Sequence, residues 1–256
     1  MSDMISQQQL EQFREVGFFL TDVVFEATEL KALADEMDRV YEEHLQEVIR
    51  NGGTDAEIKA AKGRRAFGAF HKLSDMAAEF VKATIYLEAS RKLIGNDVDL
   101  YYNQAAVKPP GIGRTFNWHQ DSGYTTTVPL EYITCWTAVD DSDLGNGCIW
   151  VIPGSHKHGV LPHVRNDEND ERYSGLTAQI ASEEGAIPVE MKAGQVAIFS
   201  SLMLHKSGPN TSNDRFRRGY VPQYHVPGVY LEKTGQHVGD QFPVLRNGKR
   251  VAIGDA

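Results

Sequence analysis

Along the first third of the chain apolar residues recur at helical spacing, and beyond residue 95 they recur at strand spacing. Leu10, Phe13 and Val16 follow Ser6-Gln7-Gln8-Gln9, which has the form of a capping box, and Gly17 closes the segment. Phe18-Phe19-Leu20-Thr21 is an apolar run short enough for a strand. From about residue 27 to 50 a stripe of Leu30, Leu33, Met37, Val40, Tyr41, Leu45 and Val48 predicts a long amphipathic helix, ended by Asn51-Gly52-Gly53. Further helical pieces are expected near residues 75–84 and 88–94.

After Gly95 the period changes to two. Val98, Leu100, Tyr102 and Gln104 alternate with Asp99, Tyr101 and Asn103, which predicts one strand with those four residues on a common face. Further strand-like runs span residues 133–139, 148–152, 187–191, 195–199 and 219–224. Pro109-Pro110-Gly111, Gly145-Asn146-Gly147 and Pro153-Gly154-Ser155 punctuate them, the second as a tight turn between two strands. Many short strands with such punctuation suggest a sandwich or barrel. With no repeat and no low-complexity linker, residues 1–256 read as a single domain. Residues 1–95 are mostly helical, about 96–225 form a β-core, and 226–256 form a C-terminal tail. The acidic stretch at 166–171 reads as a solvated loop.

Composition narrows the function. At 256 residues the chain can bury a full core, and its 41% apolar and 24% charged residues are ordinary for a globular protein. A net charge of −9 argues against non-specific nucleic-acid binding, which needs a basic surface. Cys135 and Cys148, the two cysteines, lack CxxC spacing and are read as buried small apolar residues in a reducing compartment. Met1-Ser2-Asp3-Met4-Ile5-Ser6-Gln7 carries no leader signature, and no run approaches the ~20 apolar residues of a membrane span. The expectation is cytoplasmic, with no membrane or nucleic-acid partner.

The candidate chemistry sits in His119-Gln120-Asp121 and in His205, far downstream. On a strand, residues two apart share a face, so His119 and Asp121 can grip one ion. Two imidazoles and a carboxylate form the facial triad of non-haem Fe(II), with coordination positions left open. A lone HxD is weak evidence in a chain with nine histidines. His156-Lys157-His158, with His163 beyond, has chelating spacing too, but it follows a turn and lacks a nearby carboxylate; exposed histidines are the simpler explanation. Arg215, Arg217 and Arg218 could all be charges at a strand edge. Strand alternation nevertheless sends Arg217 and Arg218 to opposite sides, so one can enter a pocket and meet an anion with its bidentate fork.

Four segments together resemble the phytanoyl-CoA dioxygenase family of Fe(II)/2-oxoglutarate oxygenases. They are Trp118-His119-Gln120-Asp121, Thr134-Cys135-Trp136-Thr137-Ala138, Asn146-Gly147-Cys148 through Ile152-Pro153-Gly154-Ser155-His156, and His205-Lys206-Ser207-Gly208-Pro209-Asn210 through Arg217-Arg218. The resemblance runs from about residue 104 to 224, and more loosely over the N-terminal helices and residues 239–248. It implies a mainly β fold with N-terminal helices around a double-stranded β-helix, a jelly-roll of cupin type.

The resemblance also implies roles. His119, Asp121 and His205 match the iron ligands. Arg217 matches the arginine that pairs with the 5-carboxylate of 2-oxoglutarate, with Ser207 as a hydrogen-bonding helper. Gln104 and Trp136 match the co-substrate pocket, with Lys108 beside it. Asn213-Asp214 lengthens the loop before the arginine by one residue, which leaves Arg218 as the competing position. Each residue also has a simpler role: Trp136 as core, Gln104 as an outward polar residue, Ser207 as a turn stabiliser.

The implied reaction consumes O₂ and 2-oxoglutarate, releases succinate and CO₂, and hydroxylates a C–H bond of a small molecule. Relatives that halogenate replace the triad carboxylate with a small residue, so Asp121 favours hydroxylation. Tyr101 and Tyr124 are candidate walls of the substrate pocket, His163 and Arg165 candidate polar contacts, and Arg64 and Arg65 candidates reaching in from the helical half. Two other readings compete: a cupin-type metalloenzyme that does not use 2-oxoglutarate, and a jelly-roll binding protein without catalysis. The first would not need an inward arginine, and the second would not need three intact ligands.

Overall fold

The computed structural model describes residues 3–63, 66–111, 115–165 and 173–252. Its framework is two facing β-sheets with helices against the outer side of the larger one. The larger sheet runs in the order Phe18–Leu20, Val196–Ser200, Ile133–Ala138, Arg217–His225, Val98–Lys108, Phe242–Arg246, Lys249–Arg250, with Ala66–Gly68 also on Val98–Lys108. The smaller sheet is Ile187–Val189, Ile149–Val151, His205–Ser207, Thr115–His119, Tyr173–Ser174. From Val98 to His225 the chain crosses repeatedly between the two sheets, and this is the jelly-roll expected from the resemblance.

Alternation sorts each central strand between two cores. In Ile133–Ala138, Ile133 and Cys135 join the cluster under the helices, whereas Trp136 and Ala138 face the space between the sheets. Ile198 and Val196 likewise face the helices, while Ala197 and Phe199 face inward. The helices cover their side with Leu10, Phe13, Leu30, Leu33, Met37 and Ile85. Burying a side chain of this size stabilises the fold by roughly 1.5–3 kcal/mol each.

The N-terminal elements follow their local signals. Ser6 caps Gln7–Val16 in a full capping box with Gln9, and Gly17 ends it in the left-handed region at φ 88°. A Cβ on Gly17 would also collide with His156 and Met203, so the position needs glycine for space as well as for conformation. The long helix spans Ala27–Arg50 as its stripe predicts, and shorter ones occupy Asp75–Phe80 and Thr84–Leu93. The helix Asp55–Gly63 and the strand Ala66–Gly68 carry no clear periodic pattern and are additions to the sequence reading.

Three expectations are corrected. The predicted face of Val98, Leu100, Tyr102 and Gln104 is split by an irregularity in the ladder: Gln223 pairs Tyr102 while the next residue, Tyr224, pairs Leu100. Tyr101 is the extra residue of this bulge, so the alternation changes phase there. Val98 and Leu100 pack under the helices, whereas Tyr102 and Gln104 line the inner cavity. Next, the segment containing Gly145-Asn146-Gly147 is not a hairpin turn, because the strands on either side belong to different sheets. It is a crossover; Gly147 alone of the two glycines has positive φ, at 84°. Finally, Phe242–Arg246, in the C-terminal segment, pairs with Val98–Lys108 inside the larger sheet. The acidic stretch at 166–171 lies outside the described residues.

Candidate active site

The HxD segment straddles the end of a strand. His119 is the last residue of Thr115–His119, and Asp121 begins a short 3-10 turn, Asp121–Gly123. Gln120 stays extended at φ −115°, ψ 141°, so the two-residue alternation carries past the strand end and brings Asp121 to the side of His119. His205 opens the neighbouring strand and stands directly opposite His119 in the antiparallel register. One donor atom from each of the three lies within 4.8 Å of the others, the single such group of three among the described residues. His205 Nε2 is 3.7 Å from Asp121 Oδ1, and the two imidazole rings are 4.1 Å apart.

Hydrogen bonds fix how these donors point. His119 Nδ1 donates to the carbonyl of Asn117 at 2.7 Å, and His205 Nδ1 donates to that of Met203 at 3.0 Å. Each bond places the proton on Nδ1 and leaves the Nε2 lone pair for an ion. Burial, and then the neighbouring His205, hold the His119 imidazole well below its usual pKa, which favours the neutral form a metal requires. Thr134 donates to Asp121 Oδ2 at 2.5 Å, and Gln223 donates to the Thr134 hydroxyl at 3.3 Å. Neither residue is singled out by the sequence, since an isolated Thr or Gln in a strand carries no signal of its own.

Gln120 is fully buried and acts as a brace. Its amide donates to the carbonyls of Gly159 and Leu202, both at 2.7 Å, and accepts from the Leu161 N–H. His163 stands behind this segment, where its Nε2 accepts the backbone N–H of Gln120 at 3.1 Å. His163 is therefore a support of the HxD backbone and does not line the cavity. Arg165 is exposed and outside the lining as well. Arg64 and Arg65 lie outside the described residues. His156 bonds to the carbonyl of Arg14 and Lys157 pairs with Glu15, so the rival histidine cluster serves the N-terminal helix.

The larger sheet supplies the facing wall. Along Arg217–His225 the odd positions look inward and the even ones toward the helices, so the adjacent arginines diverge. Arg217 is buried, with its guanidinium 5.5 Å from the Trp136 ring, and its Nε has no hydrogen-bond partner. Arg218 turns to the other side and forms a two-pronged pair with Asp140 at 2.9 and 3.0 Å, plus a contact with Asp38. Lys108 is opposite Arg217 and donates to the carbonyls of Ser207 and Gly208. Burial pushes Arg217 down to about 10; burial together with Arg217 pushes Lys108 down to about 6. Ser207 is buried in the same corner, and the Cys148 thiol is raised to about 11 by its burial.

Between the walls lies a cavity of about 410 Å³ that opens to solvent and exposes His119 and Asp121 on its lining. Tyr101, Tyr102, Phe116, Tyr124 and Tyr132 supply its rings, and Gln104 and Gln223 supply amides. The sequence pointed to Tyr101, Tyr124 and Gln104; the others are brought in by the bulge and by crossing strands. Chemically, two imidazoles and a carboxylate suit a divalent iron, and a buried guanidinium with no acidic partner among the described residues suits a carboxylate. No helix among the described residues is long and apolar enough to cross a membrane.

Comparison with known proteins agrees with this arrangement. A family model described as Phytanoyl-CoA dioxygenase (PhyH) matches residues 13–219. A phytanoyl-CoA dioxygenase of Arabidopsis thaliana is 27% identical over 164 residues, 63% of this chain and 58% of that protein. The match thus spans under two thirds of the plant protein's length. An ectoine dioxygenase of Bordetella bronchiseptica is 26% identical over 230 residues, 82% of this chain and 72% of that one. The crystal structure of EctD from S. alaskensis with 2-oxoglutarate and 5-hydroxyectoine superposes with a TM-score of 0.68. It is 21% identical and covers 90% of this chain and 79% of that one, a likeness of fold.

Proposed function

The chain belongs to the phytanoyl-CoA dioxygenase family, and from that membership and the site geometry we infer an Fe(II)- and 2-oxoglutarate-dependent oxygenase that hydroxylates a C–H bond of a small molecule. His119, Asp121 and His205 would hold the iron, and Arg217, with Ser207 and Lys108 beside it, would receive the distal carboxylate of 2-oxoglutarate. The observation that carries this reading is the buried, unpartnered Nε of Arg217 in the same interior as the triad. An uncompensated buried guanidinium costs several kcal/mol, and a carboxylate is the ligand that offsets this.

The donor set fits the group it would hold. Both imidazoles present Nε2, Asp121 offers Oδ1 while Thr134 occupies Oδ2, and the remaining face opens on the cavity. Iron there supplies the oxidative chemistry, with O₂ reduced as 2-oxoglutarate is converted to succinate and CO₂. The chain's own part is to bind and orient. Arg217 and Lys108 anchor the dianion, and Trp136 walls its side of the interior. A Cβ on Gly219 would sit 2.5 Å from the Trp136 ring, so glycine lets that indole pack directly against the strand. Retention of the Asp121 carboxylate favours hydroxylation over halogenation, since no vacancy is left for a halide.

Anaerobic addition of 2-oxoglutarate to the Fe(II)-loaded protein tests the reading. A weak visible charge-transfer band should appear and saturate with 2-oxoglutarate. A protein that binds Fe(II) yet shows neither the band nor calorimetric 2-oxoglutarate binding would be a metalloenzyme of another kind.

A further inference from the structure

The strand that ends in His119 is irregular just before its ligand. His119 pairs with His205 but Phe116 pairs with Ser207, so Asn117 and Trp118 together stand opposite Lys206. This is a β-bulge, and it changes the phase of the strand. Phe116 and His119 are three positions apart, and simple alternation puts such residues on opposite faces. Both nevertheless line the cavity, because the extra residue is absorbed between them. Without the bulge, a strand that aims Phe116 inward would turn His119 away from His205.

A cation clamps the outer face of this bulge. Trp118 turns away from the cavity and packs with Ala178 and Leu204, and Trp150 lies against that cluster. Lys206 pairs with Trp150, while His205 and Ser207 on either side of it pair with Val151 and Ile149, which face the space between the sheets. Lys206 therefore points outward, with its Nζ 4.6 Å from the centre of the Trp118 ring and 5.7 Å from that of Trp150. Ring faces attract an ammonium at such distances, tryptophan most strongly. Glu183 accepts a hydrogen bond from the same Nζ, and Lys206, followed by Trp118, holds the Glu183 carboxyl below its usual pKa.

The clamp spans the strands that carry the site. Trp118 immediately precedes His119, Lys206 immediately follows His205, and Trp150 stands on the next strand of the same sheet. Asn117, the other residue of the bulge, is tied at both ends: its carbonyl accepts from His119 Nδ1 at 2.7 Å, and its amide donates to Thr177 at 3.0 Å. Moving the bulge by one residue would part Lys206 from the Trp118 ring, turn that indole toward the cavity and redirect His119. The ring contacts and the ligand pair are thus satisfied by the same placement of the extra residue.

We propose that Lys206 is a positioning residue for the metal: seated against Trp118 and Trp150 on the outer face of the sheet, it fixes the bulge at Asn117–Trp118 and so keeps His119 opposite His205. This rests on the oxygenase reading, which assigns His119, Asp121 and His205 to the ion. Lys206 touches neither the ion position nor the cavity, and acts through the backbone of the two ligand-bearing strands. Metal affinity then depends on a cation held on the far side of the sheet.

Three measurements on the full chain test this: Ni(II) affinity by calorimetry, the Co(II) absorption spectrum as a report on geometry at the ion, and melting of the metal-free protein. Lys206→Met keeps the aliphatic stem and removes the charge. It should weaken Ni(II) binding about tenfold, the lower end of what outer partners contribute, and change the Co(II) spectrum. Lys206→Arg, which stacks on the same rings, should recover both. Trp150→Leu should weaken Ni(II) binding severalfold, and adding Lys206→Met to it should cost less than in the unmodified protein. If Lys206→Met lowers only the melting temperature, or if arginine rescues nothing, Lys206 serves the fold alone and the proposal fails. Should Lys206→Met not fold, an unchanged Ni(II) affinity in Trp150→Leu overturns it instead. A protein that binds Ni(II) but not 2-oxoglutarate loses the oxygenase reading and keeps this proposal, whereas one that binds no Ni(II) loses both.

Discussion

Lys108 and Arg217 face each other across the antiparallel ladder, both buried, and neither has an acidic partner among the described residues. Burial and the neighbouring guanidinium push Lys108 down to about 6, so near neutral pH Arg217 remains the buried charge, a cost to the fold unless an anion joins it. Arg218, one position on, has no such need, because Asp140 already accepts from it twice.

The adjacent arginines should therefore behave differently. Arg217→Ala is expected to weaken 2-oxoglutarate binding by ~2–5 kcal/mol, the cost of truncating one side of a buried charge pair. Arg218→Ala should leave that affinity unchanged and lower stability by about 1–3 kcal/mol through loss of its charged hydrogen bonds. Isothermal titration and denaturant melts of both variants distinguish the roles. A loss of 2-oxoglutarate binding in Arg218→Ala would place the co-substrate on the helix side of the sheet.

Lys108 gives the protein a pH dependence with a definite sign. Its folded pKa of about 6 lies below the unfolded value, near 10.4. Between those values the unfolded chain holds a proton that the folded one lacks, so stability should rise with pH across that window and be lowest below about 6. The carbonyls of Ser207 and Gly208 favour the ammonium and narrow the window without reversing the sign. A bound dianion raises the Lys108 pKa, so 2-oxoglutarate binding near pH 7.5 should take up a proton. Calorimetry in buffers of different ionisation enthalpy measures this uptake, and Lys108→Met should abolish it.

The site was legible where its chemistry is local and hidden where it depends on register. His119-x-Asp121 shows itself because alternation alone sets two candidate ligands on one side, and alternation alone also separates Arg217 from Arg218. Thr134 lies in a resembling segment that gives it no role and Gln223 carries no motif; they matter because Ile133–Ala138 and Arg217–His225 are paired, with Gln223 opposite Thr134. The bulge at Tyr101 was invisible for a related reason. A continuous alternation in sequence says nothing about an extra residue in the ladder, and the phase change puts Tyr102 and Gln104 in the cavity instead of beneath the helices. The helix stripe of Ala27–Arg50, by contrast, needed no partner to be read, since 24 residues of 3.6-fold period define their own buried face.

Metal should bind the folded state through all three donors. Anaerobic Fe(II), or Ni(II) as a redox-inert probe, is expected to raise the melting temperature, since a ligand of the native state stabilises it by mass action. Chelation should reverse the rise. Asp121→Ala and His205→Ala should each remove most of the shift and all 2-oxoglutarate-dependent succinate formation. A full metal-induced shift in Asp121→Ala would place the ion elsewhere.

Thr134 should set how Asp121 holds the metal. Its hydroxyl donates to Oδ2, which leaves Oδ1 toward His205 and discourages a bidentate grip, and Gln223 donates to the same hydroxyl from behind. Outer partners of this sort typically contribute 10–100-fold to metal affinity. Thr134→Val keeps the shape of the side chain and removes the donor, so metal affinity should fall by about that factor while 2-oxoglutarate still engages Arg217. Thr134→Ser, which restores the hydroxyl, should recover the affinity. If valine weakens metal binding no more than serine does, steric support accounts for Thr134, and the Asp121 orientation must come from the Gln120 brace and the turn at Asp121–Gly123.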